Sequence, residues 1–176
     1  MSQATQIFCM DVDYRVDHAA AAGILFDDWE LDAVIQKVTV TIDQVAPYQS
    51  GEFYKRELPC LIKLIDQLAT LPSVFIVDGF VYLDGQKKMG LGAYLWEHVG
   101  RKVPVIGVAK KRFKENTAAV EITRGKSQTP LFVTAAGIDL QIASSQIMKM
   151  HGKFRISTLL KQVDQLCRDV PSARLL

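Results

Sequence analysis

The sequence predicts a mixed α/β fold: an antiparallel three-strand meander, then parallel strands alternating with helices around the same sheet. Two observations predict it. Three short apolar or β-branched segments follow one another within residues 5–44 with only brief polar connections, the pattern of consecutive antiparallel strands. After Pro47, Ser50 and Gly51 the pattern changes to helical spacing interrupted by short, continuous apolar runs. That alternation sets helices against a sheet.

Residues 6–14 form the first expected strand. The second is AAAAGILF, residues 19–26. Alanine is the best helix former, but so short a run beside the turn-like residues Arg15, Asp17 and His18 reads as a buried strand. The third, residues 32–42, sets Val34, Gln36, Val38, Val40 and Ile42 against Ala33, Ile35, Lys37, Thr39 and Thr41, an alternation rich in β-branched residues. A helix is expected over 52–69, where Leu58, Leu61, Ile62, Ile65 and Leu68 recur at helical spacing. Pro59 lacks an N–H, so this helix should start near it or kink there.

The continuous apolar run at 74–77 suits a central parallel strand. A loop rich in Gly, Lys and Asp leads to a helix at 91–99 and a strand at 103–108. Strand-like segments at 118–123 and 131–134 flank a turn at 124–128, and helices at 140–150 and 158–168 follow. With 176 residues, 49% hydrophobic and 23% charged, the composition is that of a globular chain, and one domain over 1–176 is expected.

The formal net charge of +2 does not by itself announce a nucleic-acid partner. The basic residues are uneven, however: Lys87, Lys88, Arg101, Lys102, Lys110, Lys111, Arg112 and Lys114 fall within 28 positions, while Asp and Glu dominate residues 27–32. A local patch of this kind binds phosphate without a high overall charge; a merely solvated face is the competing reading. Cys9, Cys60 and Cys167 are widely spaced, lack a CxxC pattern and sit among apolar neighbours, as buried thiols of a reducing compartment do. No apolar run approaches the roughly 20 residues that cross a bilayer, and MSQATQ does not read as a signal peptide. A cytoplasmic location is expected.

Chemistry is concentrated in acidic residues at the ends of apolar runs. VFIVDG ends on Asp78, IFCMDVDY carries Asp11 and Asp13, and Glu57 lies between them in YKRE. Such carboxylates can share a hard divalent cation, which takes oxygen ligands. Asp13 is read as a surface residue on the strand face opposite Asp11. A meander followed by alternating helices and strands fits a ribonuclease H-like arrangement, in which adjacent strands bring Asp11 and Asp78 side by side.

Four motifs in order, MDVDY (10–14), PYQSGEFYKRE (47–57), VDG (77–79) and IGVAK (106–110), resemble those of the endonuclease V family. The resemblance runs from about residue 6 to residue 169. It implies metal-dependent hydrolysis of a phosphodiester near a deaminated base, chiefly inosine, in DNA or RNA. It assigns Asp11, Glu57 and Asp78 to Mg²⁺, or to Mn²⁺ in its place, and Lys110 to the active-site lysine. KFRISTLLKQVDQL is similar to the family's C-terminal pattern and matches Asp164 to its fourth acidic or histidine position. Tyr48 matches the aromatic of a strand-parting wedge whose tight turn Gly51 permits. Arg56 is expected on phosphate, and Lys111 and Arg112 are expected to extend the nucleic-acid face.

The departures gather in the base-reading parts. Gln49 and Ser50 replace an apolar residue and a proline in the wedge, Val81 a glycine, and Asp84 and Tyr94 histidines; residues 134–137 read TAAG where the family has a stretch like SPGH. The alternative is therefore a family member that binds nucleic acid or a protein partner without this cleavage. No Ser or Cys nucleophile motif supports an unrelated hydrolase.

Overall fold

The computed structural model describes residues 4–172. Seven strands form one sheet in the order β3-β2-β1-β4-β5-β7-β6: β1 (Ile7–Tyr14), β2 (Ala19–Phe26), β3 (Gln36–Ile42), β4 (Val74–Asp78), β5 (Val105–Ala109), β6 (Val120–Ile122) and β7 (Leu131–Ala136). The helices are α1 (Phe53–Ile65), α2 (Leu91–His98), α3 (Leu140–Lys149) and α4 (Thr158–Asp169). β1, β2 and β3 are the expected antiparallel meander. β4 pairs parallel with β1, and β5 parallel with β4. β7 then joins β5 antiparallel and carries β6 at the edge. None of the described helices is long and apolar enough to cross a membrane.

Alternation along the strands divides the core in two. Phe8 and Met10 of β1, with Phe75 and Val77 of β4, pack with Leu61 and Leu64 of α1 and Leu95 of α2. Ile7, Cys9 and Ile76 point the other way and pack with Ile147 of α3 and Val163 of α4. The helices therefore cover both faces, as parallel pairing demands.

The alanine-rich segment is a strand because tertiary pairing overrides its helix propensity. β2 is hydrogen-bonded on both sides and buried along its whole length. Gly23 supplies the needed clearance: a Cβ there would stand 2.1 Å from the Phe8 ring.

Three expectations are corrected. β3 begins at Gln36 rather than 32, because its ladder starts where Leu25 pairs with Gln36 at the end of β2. α1 starts six residues before Pro59 rather than near it, and carries it as an interior residue; the missing N–H falls on an exposed side, leaving the Lys55 carbonyl without its usual partner. Asp13 does not face away from Asp11, because residues two apart on a strand share a face. It is half-buried and paired with Arg15 at 3.1 Å.

The register positions what matters. Met10 pairs with Val77, the last pair between β1 and β4. β1 then continues beside β2 alone, while the chain after β4 moves toward β5. A crevice opens where the two connections diverge, the usual place for a ligand in an open α/β sheet. Asp11 and Asp78 are the first residues past that last pair.

Candidate active site

Asp11 and Asp78 continue the faces of Cys9 and Ile76, the side covered by α4, whereas Glu57 reaches the sheet end from α1 on the opposite side. Asp11 is 7% exposed and Glu57 3%. Burial, then the charge of Asp78 and more weakly that of Asp164, pushes the Asp11 carboxyl up to about 7, against the pull of the Val12 N–H and the Lys110 ammonium. Burial, then Asp11 and Asp78, holds the Glu57 carboxyl well above its ordinary value, although Tyr14 Oη donates to it at 3.4 Å and Arg56 lies near. Like-charged carboxylates held this close resist joint ionisation unless a cation stands among them.

Lys110 supplies part of that charge. Just past β5, its Nζ donates to Asp78 Oδ2 at 3.2 Å. Burial pulls the ammonium down, but Asp78, Asp11 and Asp164 more than offset this and leave it raised. Close backbone approach sets the pair. A Cβ at Gly107 would stand 2.5 Å from the Gly79 carbonyl, and Gly79, at φ +132°, donates its N–H to Val108 at 3.1 Å.

α4 brings Asp164 to the same place. Among the described residues, Asp11, Asp164 and Cys167 form a group whose donor atoms all lie within 4.8 Å of one another. Asp11, Glu57 and Asp78 are more widely spread, since they straddle the sheet end. Cys167 does not suit a hard cation. Burial, then Asp11 and Asp164, pushes its thiol up to about 12, and its Sγ donates to the Asp164 carbonyl at 3.0 Å. The donors that fit are the carboxylates of Asp11, Asp78, Glu57 and Asp164: an all-oxygen set too crowded with negative charge to be comfortable empty, as Mg²⁺ or Mn²⁺ would require.

The outer residues divide. Tyr48 stands 67% exposed in the loop before α1, and Gly51 turns that loop at φ +79°. Lys111 is exposed. Arg112 is engaged by Glu121 and lies 5.2 Å over the Phe132 ring. Arg56 is half-buried, its guanidinium 3.9 Å over the Tyr14 ring and its Nε shielded from solvent without a partner; this holds it against Tyr14, beside Glu57. In the loop over 80–88, Val81 is fully buried and its N–H donates to Thr134 Oγ1 at 2.7 Å. Asp84 caps its own turn by accepting from the N–H groups of Gln86 and Lys88. Tyr94 stacks on Tyr54 with ring centroids 3.7 Å apart.

Two residues passed over in the sequence belong to this arrangement. Tyr14 orients Glu57, and period-two counting from Met10 would have placed it on the α1 side. Arg155 donates to the backbone carbonyls of Lys110, Thr129 and Pro130, fixing the segment that presents Lys110. It lies within KFRISTLLKQVDQL, so the resemblance of that segment to the family's C-terminal pattern is the signal that could have found it.

A family model described as Endonuclease V matches residues 1–161, so Asp164 lies beyond the matched span and rests on geometry and on the C-terminal pattern. An endonuclease V of Streptomyces avermitilis is 28% identical over 90% of this chain and 77% of its own length. The crystal structure of an endonuclease V from the same organism superposes with a TM-score of 0.76 at 25% identity, covering 94% of this chain and 81% of the other. A Ciona intestinalis endonuclease V, solved in complex with a 23mer DNA containing an inosine, gives a TM-score of 0.76 at 18% identity over 96% of this chain and 86% of its own. That last likeness is one of fold, the ribonuclease H-like fold expected from the element order.

Proposed function

The chain belongs to the endonuclease V family of nucleases, and from that premise we propose that it hydrolyses a phosphodiester near a deaminated base, chiefly inosine, in DNA or RNA. We read residues 1–176 as a single domain built around that activity. The observation that carries the reading is the convergence of Asp11, Asp78, Glu57, Asp164 and Lys110 on one crevice at the sheet end. The inosine-containing DNA bound by the Ciona protein supports the choice of base.

Asp11, Glu57 and Asp78 hold the cation, Mg²⁺ or Mn²⁺, with Asp164 close enough to Asp11 to contribute. When bound, such a cation supplies Lewis-acid polarisation of a phosphate and a more acidic water. Lys110, tethered to Asp78, sets a positive charge where phosphoryl oxygens gain negative charge. Tyr14 and Arg56 keep Glu57 oriented. Exposed Tyr48 offers a flat face to an unstacked base, and Lys111 and Arg112 lie where they extend the face that meets the backbone.

One feature favours binding without this cleavage: the loop over 80–88 is closed on itself, with Val81 buried and Tyr94 stacked on Tyr54. The two readings separate by cutting strands that carry one inosine against matched plain strands, as DNA and as RNA, with Mg²⁺ or Mn²⁺. The account expects nicking that depends on inosine. Equal cutting of both strands would remove the base specificity. No cutting of any strand by Mn²⁺-loaded protein would favour the binding role.

A further inference from the structure

Beyond Asp164 and Lys110 a cleft of about 1070 Å³ opens between the turn at 123–127 and the loop at 152–156. This exceeds the roughly 300–1,000 Å³ of ordinary small-molecule sites. Lys126, Lys153 and Lys161 line it, all exposed and none in an ion pair among the described residues. Asp164, at the inner end, is the acidic residue of the lining.

The walls are built rather than loose. Buried Arg124 donates to the backbone carbonyls of Met150, Gly152, Phe154 and Arg155. Arg155 is pinned in turn to the carbonyls of Lys110, Thr129 and Pro130. Gly125, at φ +61°, lets the turn meet the loop backbone to backbone; a Cβ there would stand 2.1 Å from the Lys153 carbonyl oxygen. On this fixed loop Phe154 remains 64% exposed, with Lys153 Nζ 5.6 Å from its ring centroid. An aromatic ring held out of the core beside one ammonium group, in a cleft lined by two more, is an arrangement that stacks a base and tracks its backbone.

We propose that this cleft carries a single-stranded stretch of nucleic acid away from the scissile phosphate, with Lys126, Lys153 and Lys161 on its phosphates and Phe154 stacked on one unpaired base. The proposal rests on the nuclease reading for its direction, since the cleft is continuous with Lys110 and Asp164. Charge complementarity selects a polyanion. The exposed ring selects a single strand, because a duplex keeps its base faces inside.

The test is binding of plain single strands of about 12 nucleotides, within the range such grooves occupy. DNA and RNA versions are titrated with Ca²⁺ in place of Mg²⁺, with 2-aminopurine moved through successive positions. Fluorescence should be quenched at one position, and the quench should vanish in Phe154→Ala but persist in Phe154→Trp. Affinity should fall about tenfold in Phe154→Ala. Replacing Lys126, Lys153 and Lys161 by Ala together should flatten the salt dependence of log Kd by about two. A quench with only one of the two strand types would assign the cleft to that nucleic acid.

An unchanged quench in Phe154→Ala, or a wild-type salt slope in the triple variant, would overturn the proposal. The nuclease reading fails separately: a wild-type protein that cuts nothing yet shows the expected quench and slope leaves the cleft assignment standing. A protein that cuts while both variants bind as wild type does removes the cleft alone.

Discussion

Asp11 does not behave as an exposed strand aspartate would in water. Its carboxyl is pushed from 3.8 up to about 7, first by burial and then by Asp78. A carboxyl with a raised folded-state value holds its proton more tightly when folded. Its contribution to stability is therefore complete below the unfolded value and is lost as pH climbs through the folded one. The metal-free protein should lose melting temperature across that interval, and Asp11→Asn should lose less. Mn²⁺ should raise the melting temperature more at about pH 8 than at about pH 5, because protons compete for the same oxygens. An equal gain at both would contradict a cation held by these carboxylates.

At this scale the positions of Asp11 and Asp78 at strand ends were legible from the apolar runs that carry them, whereas Lys110 was singled out through the resemblance of IGVAK to the family's motif. Asp13 was misplaced through a miscounted alternation. The engagement of Arg56 with Tyr14, 42 positions away in sequence, was not legible, because tertiary packing makes that neighbourhood.

Among the elements, β5 and the segment after β4 are joined by an approach that only glycine permits. Gly107→Ala would drive a Cβ against the Gly79 carbonyl, Thr134 Oγ1 and the Val81 N–H. Overpacking of this kind costs about 1–3 kcal/mol, and here it also displaces the segment that carries Asp78. Urea unfolding should show the loss, together with weaker Mn²⁺ binding. Wild-type stability would mean that the strands are not so closely apposed.

Most elements could be read from periodicity and turn residues, the buried alanine strand included. The lengths of β3 and β6 could not, since a strand ends where its neighbour stops pairing. Pro59 within α1 escaped the local rule because packing of Cys60, Leu61 and Leu64 into the core sustains the helix past one lost hydrogen bond.

For the whole molecule, a net charge of +2 conceals the feature that matters. Carboxylates gather in the crevice while lysines rim it, an arrangement that draws a phosphate backbone toward a cation. The family was legible because its motifs come in order. The changes at 80–88 and at Tyr94 were visible as substitutions, but the burial of Val81 and, separately, the stack of Tyr94 on Tyr54 required the fold.

The proposed wedge residue, Tyr48, stands in the loop before α1 rather than on a strand end with Asp11 and Asp78, so its test belongs to this scale. Tyr48→Ala should lower the preference for an inosine strand over a plain one about tenfold, the worth of one stacked base. Mn²⁺ affinity should be unchanged. An unaltered preference would remove Tyr48 from the selection of the base.

The central claim is that the crevice between β1 and β4 is the catalytic centre, and Asp78→Ala tests it most directly. Side by side with wild type, the variant should bind an inosine-containing strand with similar affinity, lose Mn²⁺ affinity and fail to cut. Cleavage by Asp78→Ala at the wild-type rate would contradict the account.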